Sequence, residues 1–250
     1  MTTSLSDLQE FLETFRALSS VSPLASPSTP PEDFFRQANR FRDLLHQERM
    51  LTAGRFNVFE ALAMTDDELL HSRFLAYLLD PQARHDQGTM ALRSFLGRVG
   101  LQDFLPIDLP AEEISVWTEW LIPTGRMDVA VFIGRDSIVV LENKVWTSEQ
   151  VDQLGRYQRW LSGQTSRGAI VFLTPEGRTA NSAAKDLSKS DVPVVQISYT
   201  DVAAWLDDLR PQVPPPLATT LRMYRDVCEK IGILAKAWSN SGLTLEGHQQ

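Results

Sequence analysis

The sequence has very little cysteine and no excess of positive charge, and both shortages narrow what the protein can be. Cys228 is the single cysteine in 250 residues, which excludes an intramolecular disulfide framework and a zinc site built from several cysteines. The 24 lysines and arginines are outnumbered by 32 aspartates and glutamates, so the formal net charge is −8. This balance argues against a protein that coats nucleic acid or an anionic membrane through bulk charge.

Long apolar runs are also missing from the sequence. No stretch reaches the roughly 18 consecutive apolar residues that indicate a membrane-spanning helix. The first residues, MTTSLSDLQEFLETF, carry acids early and lack the basic-then-apolar order of a signal peptide. We therefore expect no membrane association and a soluble, cytoplasmic protein in a reducing environment.

The patterning along the chain divides it into four segments. Leucine and phenylalanine recur at helical spacing over residues 1–18, which predicts an N-terminal helix. Serine and proline dominate residues 19–33 and predict a linker. We expect a single domain over residues 34–238 and a flexible tail over residues 239–250.

Within the predicted domain, the period of the apolar residues changes from that of a helix to that of a strand. Helices come first, near residues 33–50 and up to residue 99, and three successive strands are predicted over 114–122, 126–133 and 137–145. The later elements are predicted as helices near 148–161, 201–209 and 216–238 and strands near 169–173 and 194–197. The order αβββαβ with extra helices at both ends predicts a mixed α/β fold.

Charged residues interrupt these apolar strands and are the candidates for a functional site. They are Asp128, Glu142 and Lys144, and because a buried unpaired charge costs several kcal/mol, each needs a partner or a metal. Glu142 and Lys144 are two residues apart and share a strand face, whereas Asn143 points to the other. A three-residue turn over 134–136 would place Asp128 opposite Glu142 on that face, and a two-residue turn would separate the acids.

Two interpretations of this charged set stay open from the pattern alone. Two carboxylates and a lysine on one sheet face suit Mg²⁺, which binds few carboxylates and keeps several waters. Such a metal promotes hydrolysis, with the lysine positioning the attacking water or neutralising developing charge. A buried salt bridge between Lys144 and one of the acids, without catalysis, explains the same residues.

The motifs themselves resemble a known family. Asp128, the Glu-Asn-Lys of residues 142–144 and the Gln-Leu-x-x-Tyr of residues 153–157 resemble the PD-(D/E)XK nuclease superfamily. The upstream motif ExxHSxFLxxLLDP at residues 68–81 resembles an uncharacterised bacterial branch of it. The resemblance covers about residues 55–175 and implies a restriction-endonuclease-like αβββαβ core with a mixed sheet.

The resemblance also implies an activity and roles for particular residues. It implies hydrolysis of phosphodiester bonds with Mg²⁺, for which Mn²⁺ can substitute. Asp128 and Glu142 would be metal ligands, the carbonyl of Asn143 would be a further ligand, and Lys144 would be the catalytic lysine. One departure is that residues 125–128 read GRMD where the superfamily's name-giving motif has proline before the aspartate.

Gln153 and Tyr157 are the predicted helical members of the site. They are four residues apart and share a helix face, and the resemblance suggests that they touch the substrate backbone or support the lysine. The alternative is the polar flank of an ordinary amphipathic helix, with Gln150 only capping from Thr147. The apolar side of this helix is predicted to pack on the sheet and consists of Val151, Leu154 and Leu161.

Glu68 has two competing roles. The superfamily often places an additional acid on a helix before the first strand, which makes Glu68 a candidate metal ligand. The segment Thr65-Asp66-Asp67-Glu68 also has the form of a capping box, in which the Glu68 side chain returns to the Thr65 amide. Two weaker candidates for the acidic role are Glu60 and Glu119.

The two histidines near this helix are a further question. A zinc site formed by His71 and His85 with Glu68 fits no ligand spacing known for zinc. We expect instead that these histidines are hydrogen-bonded, tying the loop over 81–87 to the helix, or that they touch a phosphate near the site.

The local charge permits a nucleic-acid substrate despite the acidic total. Residues 156–178 hold four arginines and one glutamate, which predicts a basic strip beside the active helix, although ordinary solvated arginines explain the same count. No helix-turn-helix, zinc finger or aromatic RNA-binding motif is visible, so sequence-specific recognition is not expected.

The sequence therefore predicts a metal-dependent nuclease that acts on nucleic acid, DNA rather than RNA, and by analogy in defence against foreign DNA. The alternative is a non-catalytic nucleic-acid- or protein-binding subunit that keeps the nuclease fold. A protein partner or a homodimer is compatible with either.

Overall fold

The computed structural model describes residues 32–52, 56–147, 150–180 and 192–241. The chain divides into two compact units, residues 1–56 and 57–250. The first unit contributes helix α1 (Glu32–Thr52), which confirms the helix predicted near 33–50. The predicted helix over 1–18 lies outside the described residues, as does the predicted linker up to residue 31.

The second unit alternates helices and strands in the predicted order. It begins with a short helix and a long one, α2 (Val58–Ala61) and α3 (Glu68–Leu79), followed by α4 (Met90–Arg98). The three successive strands are β1 (Ile114–Ile122), β2 (Gly125–Ile133) and β3 (Ser137–Asn143). The remaining elements are α5 (Gln153–Gln164), β4 (Arg167–Thr174), β5 (Val194–Ser198), α6 (Tyr199–Leu209) and α7 (Pro215–Ser241).

The five strands form one mixed sheet in the order β1-β2-β3-β4-β5. The first three strands are antiparallel hairpin neighbours, and β4 and β5 run parallel to β3. Parallel neighbours need a crossover, and α5 supplies it between β3 and β4. This arrangement confirms the mixed α/β, restriction-endonuclease-like fold with its αβββαβ core.

Two apolar clusters fix the sheet between helical layers. The larger cluster joins one sheet face to α3, α4, α6 and α7, and it includes the fully buried Tyr224 and Cys228 of α7. The smaller cluster joins the other face to α5 through residues such as Leu154, Tyr157 and Leu161. The sheet is thus covered on both faces, and its strand ends are held in fixed positions.

The boundaries of α5 differ from the prediction. The helix begins at Gln153 rather than near residue 148, because Asp152 has a left-handed backbone (φ +53) that helical residues do not adopt. Val151 therefore precedes the helix and is 90% exposed, so its predicted packing on the sheet is wrong. The two other predicted apolar residues, Leu154 and Leu161, are buried as expected.

The last helix is slightly longer than predicted. α7 continues to Ser241, so the first residues of the predicted tail are helical, and residues 242–250 lie outside the described part of the chain. In the described ranges, no helix combines the length and the apolar character needed to cross a bilayer.

Candidate active site

The hairpin of β2 and β3 brings the two predicted acids together. The pairing of these strands runs in the register that a three-residue turn over 134–136 produces, and its last pair is Val129↔Leu141. Asp128 and Glu142 are the next residues on the two strands, so they stand opposite each other. The prediction made from the turn length is confirmed.

Glu142 is the centre of the site and is fully buried. Its Oε1 atom lies 2.7 Å from the Lys144 ammonium and accepts a hydrogen bond of 2.6 Å from the side-chain amide of Gln153. Its Oε2 atom is buried and has no hydrogen-bond partner among the described residues. Asp128 is tied to the same strand end, because its Oδ2 accepts the Asn143 main-chain N–H at 2.8 Å.

The site holds more negative charge than its single lysine balances. Burial, reinforced by the nearby Asp128 carboxylate, raises the pKa of Glu142 to about 8, against the pull of Lys144. Burial also raises the pKa of Asp128. For Lys144, burial works against the charge, but Glu142 and Asp128 outweigh it and its pKa is raised. Burial therefore disfavours the charged forms of both acids, and a bound cation would favour them.

The donor set fits a hard divalent cation. It offers two opposed carboxylates, of which Glu142 presents an oxygen with no other partner, beside the main-chain carbonyl of Asn143. In the ranges that the structure describes, no group of three or more His, Cys, Asp or Glu side chains is arranged to hold a metal. A metal here would therefore rest on Asp128, Glu142, a carbonyl and water, which is a donor set that Mg²⁺ accepts.

Gln153 and Tyr157 reach the site from the first turns of α5. The Gln153 side-chain amide donates to Glu142 Oε1 at 2.6 Å and also contacts the Tyr157 hydroxyl at 3.0 Å. The Tyr157 hydroxyl donates in turn to the main-chain carbonyl of Arg126. Both side chains are buried, so they are not a polar flank in solvent. Their contacts orient Glu142 and the start of β2.

The predicted cap of this helix is wrong. Thr147 does not cap Gln150, because its hydroxyl donates to Glu68 Oε1 at 2.6 Å. Gln150 instead accepts from Arg156 and donates its main-chain N–H to the Gln153 side chain.

Glu68 anchors the loop that follows β3. Its Oε1 atom accepts from the Val145 N–H at 2.9 Å, the Thr147 N–H at 3.3 Å and the Thr147 hydroxyl. The predicted capping box with Thr65 is wrong, because Asp67 is the N-cap of α3 and accepts from the Leu70 N–H. The Glu68 carboxylate therefore binds the loop after β3 and does not cap the start of its own helix.

Asn143 points to the opposite sheet face and its side chain is fully engaged there. The amide oxygen accepts from the Tyr199 hydroxyl at 2.8 Å. The amide nitrogen donates to the Glu68 carbonyl at 3.2 Å and to the Ser72 hydroxyl at 3.3 Å. Asn143 can therefore offer a metal only its main-chain carbonyl, in agreement with the role implied by the resemblance.

The two histidines do not gather around a metal. His71 is buried between the Tyr224 hydroxyl, 3.0 Å from Nδ1, and the Thr65 carbonyl, 3.1 Å from Nε2, and burial lowers its pKa. His85 Nδ1 accepts the Gln87 N–H within the loop after α3. Both histidines are hydrogen-bonded as expected, but these bonds do not tie the loop over 81–87 to the helix, because His85 bonds within the loop and His71 holds α3 to α7.

Some residues of the site were not predicted from the sequence. Tyr199 fixes Asn143 but lies 56 positions away in the chain, and no local pattern marks it. Thr147 binds Glu68 across 79 positions, and only the three-dimensional fold brings them together. Ser72 is different, because it belongs to the HS pair of the upstream motif and could have been considered with it.

One of the four arginines predicted as a basic strip, Arg167, lies away from the site. Arg167 begins β4 and aligns with Ser137, at the end of β3 away from the site and about 16 Å along the strand from Glu142 at 3.3 Å per residue. Arg159 forms an ion pair with Asp152. The strand direction therefore separates Arg167 from the site, and the basic strip formed by the remaining arginines stays a prediction.

Comparison with known proteins identifies the family. A family model for the PD-(D/E)XK nuclease superfamily matches residues 56–225, a range that contains α3, the whole sheet and most of the described helices. No curated protein matches the chain, and no solved structure matches it. Because the family match spans more than half of the sequence, the chain belongs to the PD-(D/E)XK nuclease superfamily.

Proposed function

We propose that this protein is a metal-dependent nuclease that hydrolyses phosphodiester bonds in DNA, with Mg²⁺ as its cofactor and Mn²⁺ as a substitute. One observation carries the proposal. The fully buried Glu142 keeps an oxygen without a hydrogen-bond partner beside Asp128 and Lys144, and two such carboxylates are ligands that Mg²⁺ prefers.

The proposed roles follow from the contacts of each residue. Asp128 and Glu142 would hold the metal, with the main-chain carbonyl of Asn143 as a further ligand. A bound Mg²⁺ would supply Lewis-acid activation of the phosphate and of the attacking water. Lys144, whose raised pKa keeps the ammonium charged, would stabilise the negative charge that develops on the phosphate. Gln153 would keep the Glu142 carboxylate in one orientation, and Tyr157 would hold Gln153.

Glu68 remains a predicted metal ligand, and its hydrogen bonds favour a different contribution. Because Oε1 holds the loop over 145–147, Glu68 fixes the chain directly after Lys144. This contact supports the position of the lysine whether or not the other carboxylate oxygen reaches the metal.

The biological setting is proposed from the family alone. DNA rather than RNA, a cytoplasmic location and a role in defence against foreign DNA are the properties that the resemblance suggests. A protein partner or a second copy of the chain would supply the recognition surface that the sequence lacks.

A non-catalytic binding subunit is the second candidate, and the ion pair favours it. The Lys144 ammonium lies 2.7 Å from Glu142, as expected where the two residues only stabilise the fold. A structural pair of this kind does not require the second acid, Asp128, or an unpartnered oxygen. These two features support the nuclease over the binding subunit.

A cleavage assay tests the proposal. Purified protein and the Lys144→Ala variant would be incubated with supercoiled plasmid, linear duplex, single-stranded DNA and RNA, each with Mg²⁺, Mn²⁺ or EDTA. The proposal predicts metal-dependent loss of DNA with the wild type and none with the variant. Equal cleavage by the folded variant, or cleavage in EDTA, would contradict the mechanism, and no cleavage by the wild type would favour the binding subunit.

A further inference from the structure

Two tryptophans on the edge strand β1 form an exposed aromatic surface. Trp117 is 51% exposed and Trp120 is half-buried, and their ring centroids are 5.7 Å apart. The Phe132 ring stands edge-on against Trp120 at 5.1 Å and supports it from the next strand. We call Trp117, Trp120 and Phe132 the aromatic surface.

An unusual backbone residue creates this surface. In a regular strand, residues three apart such as Trp117 and Trp120 point to opposite faces. Glu119 has a left-handed backbone (φ +55), and the pairing with β2 skips it while its neighbours on both sides stay paired. This irregularity turns Trp120 onto the face of Trp117. A left-handed residue other than glycine is energetically unfavourable, so the surrounding structure must impose it.

The aromatic surface lies on the same sheet face as Glu142. Trp117 aligns with Ala130, and Ala130 aligns with Val140, which shares its face with Glu142 on β3. Trp120 pairs with Met127, the residue directly before Asp128. Two strand spacings, about 10 Å, separate β1 from β3. A single strand of nucleic acid bound at the two acids would therefore have these rings two strands away on the same sheet face.

The charges beside the surface indicate how a substrate would be held. Arg126 and Arg73 both form ion pairs with Glu119, at 2.8 and 3.6 Å, and the chain as a whole is acidic. The two arginines share one carboxylate, so a single net positive charge is left here to bind phosphates. Aromatic side chains bind nucleic acid differently, because they stack on the face of any base without regard to sequence. Only an unpaired base offers such a face, since the bases of a duplex stack on one another.

We propose that Trp117 and Trp120 stack on unpaired bases of the strand that enters the active site. The protein then prefers single-stranded DNA, or unpaired ends of a duplex, over intact duplex. This inference rests on the proposed nuclease function and specifies its substrate.

Binding measurements on matched variants test the inference. A fluorescein-labelled thymidine oligonucleotide and a blunt duplex of equal length would be titrated with Mg²⁺ into the full chain carrying Lys144→Ala, which prevents cleavage. Adding Trp117→Ala is expected to weaken binding of the single strand about 5- to 100-fold, with little change for the duplex. Trp117→Phe should keep most of the affinity. Leu121→Ser is the control, because Leu121 is 76% exposed on the same strand but outside the aromatic surface.

Three results would overturn the inference, and they differ from a failure of the proposed function. Unchanged single-strand binding in Trp117→Ala, or an equal loss in Leu121→Ser, would show that the rings do not stack on bases. Sedimentation that shows a dimer dissociated by Trp117→Ala would assign the surface to a second copy of the chain. In all three cases wild-type cleavage of DNA would persist, whereas a failure of the function itself would appear as no cleavage of any substrate by the wild type.

Discussion

The two faces at the end of β3 carry polar residues of similar burial but treat them differently. On one face, Asn143 satisfies its side-chain oxygen and nitrogen through Tyr199, Ser72 and the Glu68 carbonyl. On the other face, Glu142 keeps a buried oxygen with no partner. The alternation of a β-strand assigns adjacent residues to these opposite roles.

Under the proposed function, the Asn143 face, called here the structural face, holds the fold, and the Glu142 face would hold the metal. Buried polar groups of a folded protein nearly always have hydrogen-bond partners, and leaving one unpaired costs about 1–3 kcal/mol. The Asn143 face follows this rule and holds α3 and α6 to the sheet. The Glu142 face departs from it at the atom where a metal would bind. Removing residues from the two faces should therefore have opposite effects on stability and activity.

The largest expected effect comes from Glu142→Gln. The variant keeps the size of the side chain but removes the charge, so we expect cleavage to fall by at least about 100-fold. Stability should change little, because a neutral amide is easier to bury than a carboxylate and Asp128 still compensates the Lys144 charge. Cleavage rates and thermal unfolding of both proteins check this pair of outcomes. A clear drop in melting temperature together with retained cleavage would reverse the assignment of the two faces.

Gln153→Ala is expected to have a smaller effect on the same face. It removes the amide that orients Glu142, and losses of this kind cost about 10- to 100-fold in metal affinity or activity. Gln158→Ala is the matched control, since Gln158 is also buried on α5 but donates to the Val192 carbonyl, away from the site. The control should lose stability and keep its activity. Equal activity losses in the two variants would show that Gln153 acts only through the fold of α5.

Glu68→Gln and Glu68→Ala distinguish the two roles of that residue. If Glu68 only anchors the loop, the glutamine keeps an acceptor for Val145 and Thr147, and Mn²⁺ affinity should change little. The alanine leaves these donors without their partner and should cost about 1–3 kcal/mol of stability. Calorimetry and chemical denaturation measure the two quantities. A loss of Mn²⁺ affinity of tenfold or more in Glu68→Gln would instead make Glu68 a metal ligand.

The smallest expected effect is on the pH dependence of the free energy of unfolding. Burial lowers the pKa of His71 below its usual 6.5, so below that pH the unfolded chain takes up a proton that the folded protein resists. The free energy of unfolding should therefore fall as the pH drops below 6.5, by at most about 1.4 kcal/mol per pH unit. His71→Gln removes the titration and should flatten this part of the profile. Identical slopes in denaturation series of both proteins would exclude His71 as the cause.

Much of the Glu142 face was predictable because its geometry is local. The length of the turn over 134–136 set the register, and the register brought Asp128 to Glu142. The position of Gln153 and Tyr157 followed from helical spacing. Each of these inferences spans few residues and depends on backbone periodicity alone.

The structural face was not predictable in the same way. Its contacts join α3 and α6 to β3 across more than fifty positions, and the sequence does not mark which polar side chains will meet. The same limit applies to Glu68, whose position after Asp67 fitted a capping box although its partners lie in the loop after β3. The left-handed Glu119 also has no sequence signal, because its conformation is imposed by the pairing around it.

One measurement tests the central claim, that the Glu142 face is a metal site. Isothermal titration calorimetry would follow Mn²⁺ binding to the wild type, to Asp128→Asn and to Tyr199→Phe, which alters only the structural face. The claim predicts a Mn²⁺ site in the wild type that is retained in Tyr199→Phe and lost in Asp128→Asn. No Mn²⁺ binding by the folded wild type, or equal binding by Asp128→Asn, would contradict it.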